Sequence, residues 1–424
     1  MSSKIQNELR ELVQAQVISP EVSLNISNYY EKKSSSSPNR LFAIFGVLGS
    51  LLVGLGIILI LAHNWDNFSK LTKTVWAFVP LIIGQIAVGY SLFKKKSTAW
   101  KEASATFLFF AIGSSIALVS QIYNIPGSMA SYLLSWIILA APLLYLLKSH
   151  ATAILLLIFS TAYACTVGYA NAGEPWWYLA MLGYIAPFYY EQIKSYPNHN
   201  MTALYHWLIP LSVVISLGAF IQSSDNFGFV MYVCLFGLLY NIGRLPFFKD
   251  RRLRTNGYLL MGSLGTIVTL IFVSFKWIWQ EFAFGNVAWP DIVFASVLAL
   301  AAAALFSYGY KKTKEYDFSL FQVAFVVFAI VYFIGYADMN VAWILTNLLV
   351  FSLGLFAVRI GARKNRFSIL NYGLLIITVL IACRFFDTNI TFVLRGIIFL
   401  CIGAGFFAAN YLMYRKQQNL KNHE

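Results

Sequence analysis

LFAIFGVLGSLLVGLGIILILA occupies residues 41–62, and no charge interrupts it. A helix of about 20 mostly apolar residues is long enough to cross the hydrocarbon core of a bilayer. This run therefore predicts a transmembrane helix. It ends abruptly at His63, Asn64, Trp65 and Asp66, in a chain with only 5 histidines and 17 acids. The same ruler laid along the rest of the chain predicts fourteen spans, at about 41–62, 74–93, 103–122, 131–147, 151–170, 176–193, 202–221, 227–245, 257–279, 289–309, 318–336, 340–358, 366–383 and 391–411. The window 131–147 is short, and 227–245 contains Asn241 and ends at Arg244.

Composition agrees. The 424 residues are 59% hydrophobic and only 11% charged, against about 25% charged in soluble chains. Most surfaces must therefore meet lipid or other helices. The net charge of +14 resembles a nucleic-acid signal, but its distribution excludes nucleic acid as the partner. The N-terminal tail, the even-numbered connections and the C-terminal tail hold 26 of the 31 Lys and Arg, and the odd-numbered connections hold 5. Cytoplasmic loops carry such an excess. Dropping one helix would invert every later loop and spoil the alternation, so both termini are expected in the cytoplasm. Cys165, Cys234, Cys383 and Cys401 lie in apolar runs without paired spacing, where Cys acts as a small hydrophobe. No disulfide, metal site or cofactor is expected, nor a cleavable leader before residue 41.

Residues 1–40 read as a separate cytoplasmic unit. Ile5, Leu9, Leu12 and Val13 recur at helical spacing. Ser19, Pro20 and Glu21 form a helix start, with Ser as the cap and Pro in the first turn. The expectation is a helical hairpin with a Ser-rich link, able to dock a protein partner; an amphipathic segment lying on the bilayer is the alternative. Membrane domains then follow over 41–150 and 151–424.

The odd-numbered connections, expected outside, hold His63-Asn64-Trp65-Asp66, Gln121 and Tyr123, Glu174-Pro175-Trp176-Trp177, Trp289-Pro290-Asp291, and Arg384 with Asp387. Each has a plain reading: Trp and Tyr belong at membrane interfaces, and Asp caps helices. Two places go further. Arg384, Asp387 and Arg395 put charge near bilayer depth, where charges are paired or functional; they form either a structural tie or an anion site. His63, Asn64, Trp65 and Asp66, with Gln121 and Tyr123, offer an imidazole, amides, a carboxylate and rings suited to a polar head group or sugar. No HExxH, GxSxG, Walker loop or dinucleotide fingerprint is present, so no catalytic residue is assigned and the reading leans away from an enzyme. Gln85, Asn241, Gln322 and Asn347 are expected to hydrogen-bond between helices.

The stretches LGSLLVGLGIILILAHNWDNFSK (48–70) and IALVSQIYNIPGSMASYLLSWIILAAPLLYLLKSH (116–150) resemble the bacterial membrane proteins grouped as domain of unknown function 2157. The resemblance covers about residues 5–150, and the closing RFFDTNITFVLRGIIFLCIGAGFFAANYLMYR is similar to the end of long members. It implies a bacterial membrane protein, with His63, Asn64, Trp65, Asp66, Gln121 and Tyr123 as family features, and no activity.

The resulting expectation is an all-α, polytopic integral membrane helix bundle of about fourteen spans in a cytoplasmic membrane. It would bind or move a lipid-linked or polar envelope component at an outward mouth. A membrane-embedded transferase and a scaffold using residues 1–40 are the alternatives.

Overall fold

The computed structural model describes residues 3–35, 65–170, 173, 175–222, 227–248, 253–282, 287–312, 318–387 and 392–421. All regular structure among them is helical. The first span, 41–62, lies outside the described residues, as do His63 and Asn64.

By internal contacts the chain divides into residues 1–78 and 79–424. In the first unit α1 (Ser3–Gln14) and α2 (Pro20–Ser35) touch each other. Leu9 is buried, while Leu12, Val17, Val22 and Leu24 are exposed. The Ser19 hydroxyl accepts the Val22 N–H at 3.3 Å, which starts α2 where the Ser-Pro-Glu triplet places it. Trp65–Asn67 form a 3-10 turn, and Ser69 accepts the Thr72 N–H at 3.2 Å to start the next helix.

That helix is α3 (Lys70–Phe93), and the division between the units falls inside it. The second unit continues through α4 (Thr98–Tyr123), α5 (Met129–Ala140), α6 (Pro142–Leu147), α7 (His150–Gly168), α8 (Trp176–Ser195) and α9 (Asn200–Leu217). Then come α10 (Gly228–Gly243), α11 (Gly257–Val273), α12 (Lys276–Gln280), α13 (Trp289–Lys312), α14 (Ala324–Ala337), α15 (Met339–Arg363), α16 (Phe367–Asp387) and α17 (Phe392–Lys421). Every predicted window from 74–93 onward holds a helix. Among the described residues, eight segments are long and apolar enough to cross a membrane, with α5 and α6 counted together. α10, α11 and α14 are apolar but shorter. In the most apolar stretches of α3 and α13 only 22% and 17% of the residues are buried within the chain, which leaves most of each stretch available to lipid. Pro80, Pro187 and Pro210 lie inside helices, whereas Pro142 opens α6.

The window 257–279 is not one helix. α11 stops at Val273, Phe275 is extended, and α12 resumes at Lys276. No Pro or Gly marks this break. It is sustained by side chains that take the freed carbonyls: Trp279 Nε1 donates to Val273 O at 2.8 Å, and Trp343 Nε1 and Asn347 Nδ2 donate to Ser274 O at 2.8 and 3.1 Å. An unsatisfied carbonyl in hydrocarbon costs several kcal/mol, so the break depends on these donors.

Of the four intramembrane amides, Asn241 and Gln322 hydrogen-bond to each other at 3.2 Å between α10 and the turn before α14, and Asn347 reaches Ser274. Gln85 differs: it is exposed on α3 and has no partner among the described residues. Two hydrophobic cores result. One joins Phe109, Trp136, Leu156 and Tyr205 within α3 to α9. The other joins Met231, Leu270, Phe328 and Leu353 within α10 to α16. A small cluster of Ala164, Tyr178, Ala219 and Phe220 stands between them, packed against Leu182 of the first core and Phe294 of the second.

Candidate functional site: a cavity at the seam of two cores

At that seam four elements end or begin together: the end of α7, the start of α8, the 3-10 turn Gly218–Phe220 after α9, and the start of α13. They enclose a partly open cavity of about 150 Å³ lined by Gly168, Gly173, Pro175, Trp176, Ala219, Phe220, Ile221, Gln222 and Phe294. A cavity of about this size holds a molecule such as benzene, so it accepts one ring or one head group.

Two glycines shape it. A Cβ on Gly168 would stand 2.1 Å from the Ala219 carbonyl oxygen and 2.4 Å from its Cβ, so α7 can end against this turn only without a side chain. Gly173 has φ +147°, a conformation that L side chains rarely adopt. Three rings form the apolar wall. Trp176 stacks on Phe294 at 5.7 Å and 22°, Phe220 lies 5.1 Å from Phe294, and Trp176 meets Phe220 edge-on at 5.9 Å. The polar wall is held from behind: the Gln222 backbone N–H donates to both carboxylate oxygens of Asp291, at 3.1 and 3.2 Å. Asp291 is fully buried in the first turn of α13, where the positive end of the helix favours its charge. About two turns back along α7 and α9, the Tyr178 hydroxyl of α8 and the Ser212 hydroxyl bond at 2.9 Å, and Ser212 bonds Thr161 at 2.7 Å. The nine described lining residues include no Lys, Arg or His.

A second polar cluster ties helices together. Glu102 of α4 accepts the His150 and Ala151 N–H groups at 2.8 and 2.9 Å, and the Ser149 hydroxyl at 2.5 Å. It thus caps α7 from another helix. The His150 Nδ1 stands 3.1 Å from the Tyr205 hydroxyl. With three donors on one carboxylate, Glu102 serves as a tie rather than an acid or base.

The residues proposed from the sequence as ligand contacts are placed as follows. Trp65 and Asp66 are in the 3-10 turn of the first unit, with Lys73 Nζ 5.9 Å from the Trp65 ring centroid. Gln121 and Tyr123 are exposed in the last turn of α4. Arg384 donates to Ser274 Oγ at 3.1 Å and lies 5.1 Å from the centre of the Phe275 ring, fastening α16 to the α11–α12 break. Asp387 ends α16 and Arg395 stands in the first turn of α17; their side chains lie outside the described residues. Among the described residues of the second unit, Gln121, Tyr123 and Arg384 do not line the cavity. Trp176 had a plain reading as an interface Trp. The signal for it was the likeness of two motifs expected on one side, Glu174-Pro175-Trp176-Trp177 and Trp289-Pro290-Asp291. Phe220 and Phe294 gave no signal.

No curated protein and no solved structure matches this chain. A family model described as "Predicted membrane protein (DUF2157)" does match part of it. It aligns with residues 10–153 and stops short of the C-terminal stretch that resembled long family members. Residues 10–153, from the N-terminal helices to the start of α7, are thus similar to the DUF2157 predicted membrane proteins over about a third of the chain.

Proposed function

We propose that this multi-pass membrane protein binds, and moves across or within the bilayer, a lipid-linked or polar envelope component. The seam cavity is its recognition site. The observation that carries this reading is the cavity's position between two separate cores, with aromatic and polar walls. Ligand sites favour such meeting places, and transporters place theirs between helix sets. In this reading the chain has fourteen spans, both termini face the cytoplasm, and the mouth opens outward, as the bias of Lys and Arg implies. His63, Asn64, Trp65, Asp66, Gln121, Tyr123, Arg384, Asp387 and Arg395 fall on the outer side of the membrane in this reading and are proposed ligand contacts there.

Mass spectrometry of lipids that co-purify with the protein tests this. The wild type is expected to retain an envelope lipid enriched over the bulk membrane. Trp176→Ala with Phe294→Ala is expected to lose that enrichment about tenfold, which corresponds to about 1.4 kcal/mol. Identical lipid profiles in the two proteins would contradict the reading.

The exposed Leu12, Val17, Val22 and Leu24 on and beside the N-terminal helices favour a second role: a cytoplasmic protein docks on residues 1–40.

A further inference from the structure

We propose that the seam cavity takes a small organic cation of the ammonium class. This rests on the binding reading above and names the chemistry of the ligand.

Two features of the cavity favour a positive charge. Its apolar wall consists of the rings of Trp176, Phe220 and Phe294, and ring faces attract an ammonium within about 6 Å of their centres. Behind its polar wall the fully buried carboxylate of Asp291 is held on the Gln222 N–H. Among the described residues, none that lines the cavity carries a positive charge that would attract an anion. The volume of about 150 Å³ suits one ammonium head with its methyl or methylene groups and is too small for a chain of sugars. Such a head could come from a free amine or from a zwitterionic lipid.

The test uses the full chain in nanodiscs of pure phosphatidylglycerol, titrated with choline and with 3,3-dimethylbutanol, its uncharged isostere. Thermal unfolding is the readout. Choline is expected to raise the Tm of the wild type, and the isostere to have at least tenfold less potency. Trp176→Leu and Asp291→Asn are expected to need at least tenfold more choline for the same shift. If Asp291→Asn fails to fold, Phe294→Leu, which removes a ring face while keeping an apolar side chain, carries the same expectation. Repeating the titration in phosphatidylcholine or phosphatidylethanolamine nanodiscs separates the sources. A lipid head group in the cavity abolishes the choline shift, and a free amine as natural ligand leaves it. Equal potency of choline and its isostere would overturn the cation assignment. So would the absence of any choline shift in phosphatidylglycerol nanodiscs. If either occurs while the Trp176 and Phe294 variants still lose a co-purifying lipid, the cavity is a binding site for a different chemistry.

Discussion

Gly168→Leu is expected to lower the Tm of the purified protein and to abolish ligand binding at the seam, because it strikes the closest backbone approach beside the cavity. Even a Cβ at this position would sit 2.1 Å from the carbonyl oxygen of Ala219. A backbone atom cannot rotate away as a flexible side chain can. Either the end of α7 or the turn Gly218–Phe220 must move, and both line the cavity. Overpacking of this kind costs about 1–3 kcal/mol, and more where backbone must shift. Gly168→Ala should show a smaller effect of the same sign. Thermal unfolding in detergent micelles, beside the co-purified lipid profile, measures both consequences. Gly183 provides the control: nothing stands within 4 Å of its Cβ position, so Gly183→Ala should leave both readouts close to wild type.

The second large effect is expected at Glu102. Its carboxylate takes two backbone N–H groups at the start of α7 and the buried Ser149 hydroxyl. Glu102→Ala leaves all three donors without this acceptor and detaches the start of α7 from α4. Hydrogen bonds to charged groups are worth about 1.5–3 kcal/mol each. Allowing for partial exposure and replacement by water, a net loss of about 2–4 kcal/mol is expected. Glu102→Gln should recover little. It keeps the shape, but its NH₂ group faces donors rather than acceptors. Full stability of Glu102→Gln would show that the cap does not depend on the carboxylate. Chemical denaturation in mixed micelles gives the comparison.

The helical order of the chain was legible because bilayer-length apolar runs leave little ambiguity. Each window from 74–93 to 391–411 holds a helix, and Ser19-Pro20-Glu21 begins α2 as its composition implies. The break at Ser274 was not legible. Its cause is three donors, Trp279, Trp343 and Asn347, two of which stand about seventy residues downstream, and nothing local in FVSFKW forbids a continuous helix. Arg384 was legible as a charge that needs partners. That it would find Ser274 and Phe275 depends on how α16 packs against α11 and α12. The cavity lies deeper still in tertiary structure. Trp176 and Asp291 stood in conspicuous motifs expected on one side, but Gly168, Phe220 and Phe294 are ordinary residues of apolar helices until folding brings them together. Gln85 shows the converse: a polar residue at mid-helix invited a partner, and it lies exposed on α3.

An outward mouth at the seam makes a direct demand on solvent access. In a chain with Cys165, Cys234, Cys383 and Cys401 replaced, the decisive measurement is labelling of Gln222→Cys by a membrane-impermeant maleimide, with Lys95→Cys in the connection between α3 and α4 as its counterpart. Both native side chains are exposed. Reaction of Gln222→Cys on intact cells, with Lys95→Cys reacting only after lysis, is the expected result. Protection of Gln222→Cys until lysis, or labelling of Lys95→Cys on intact cells, would contradict it.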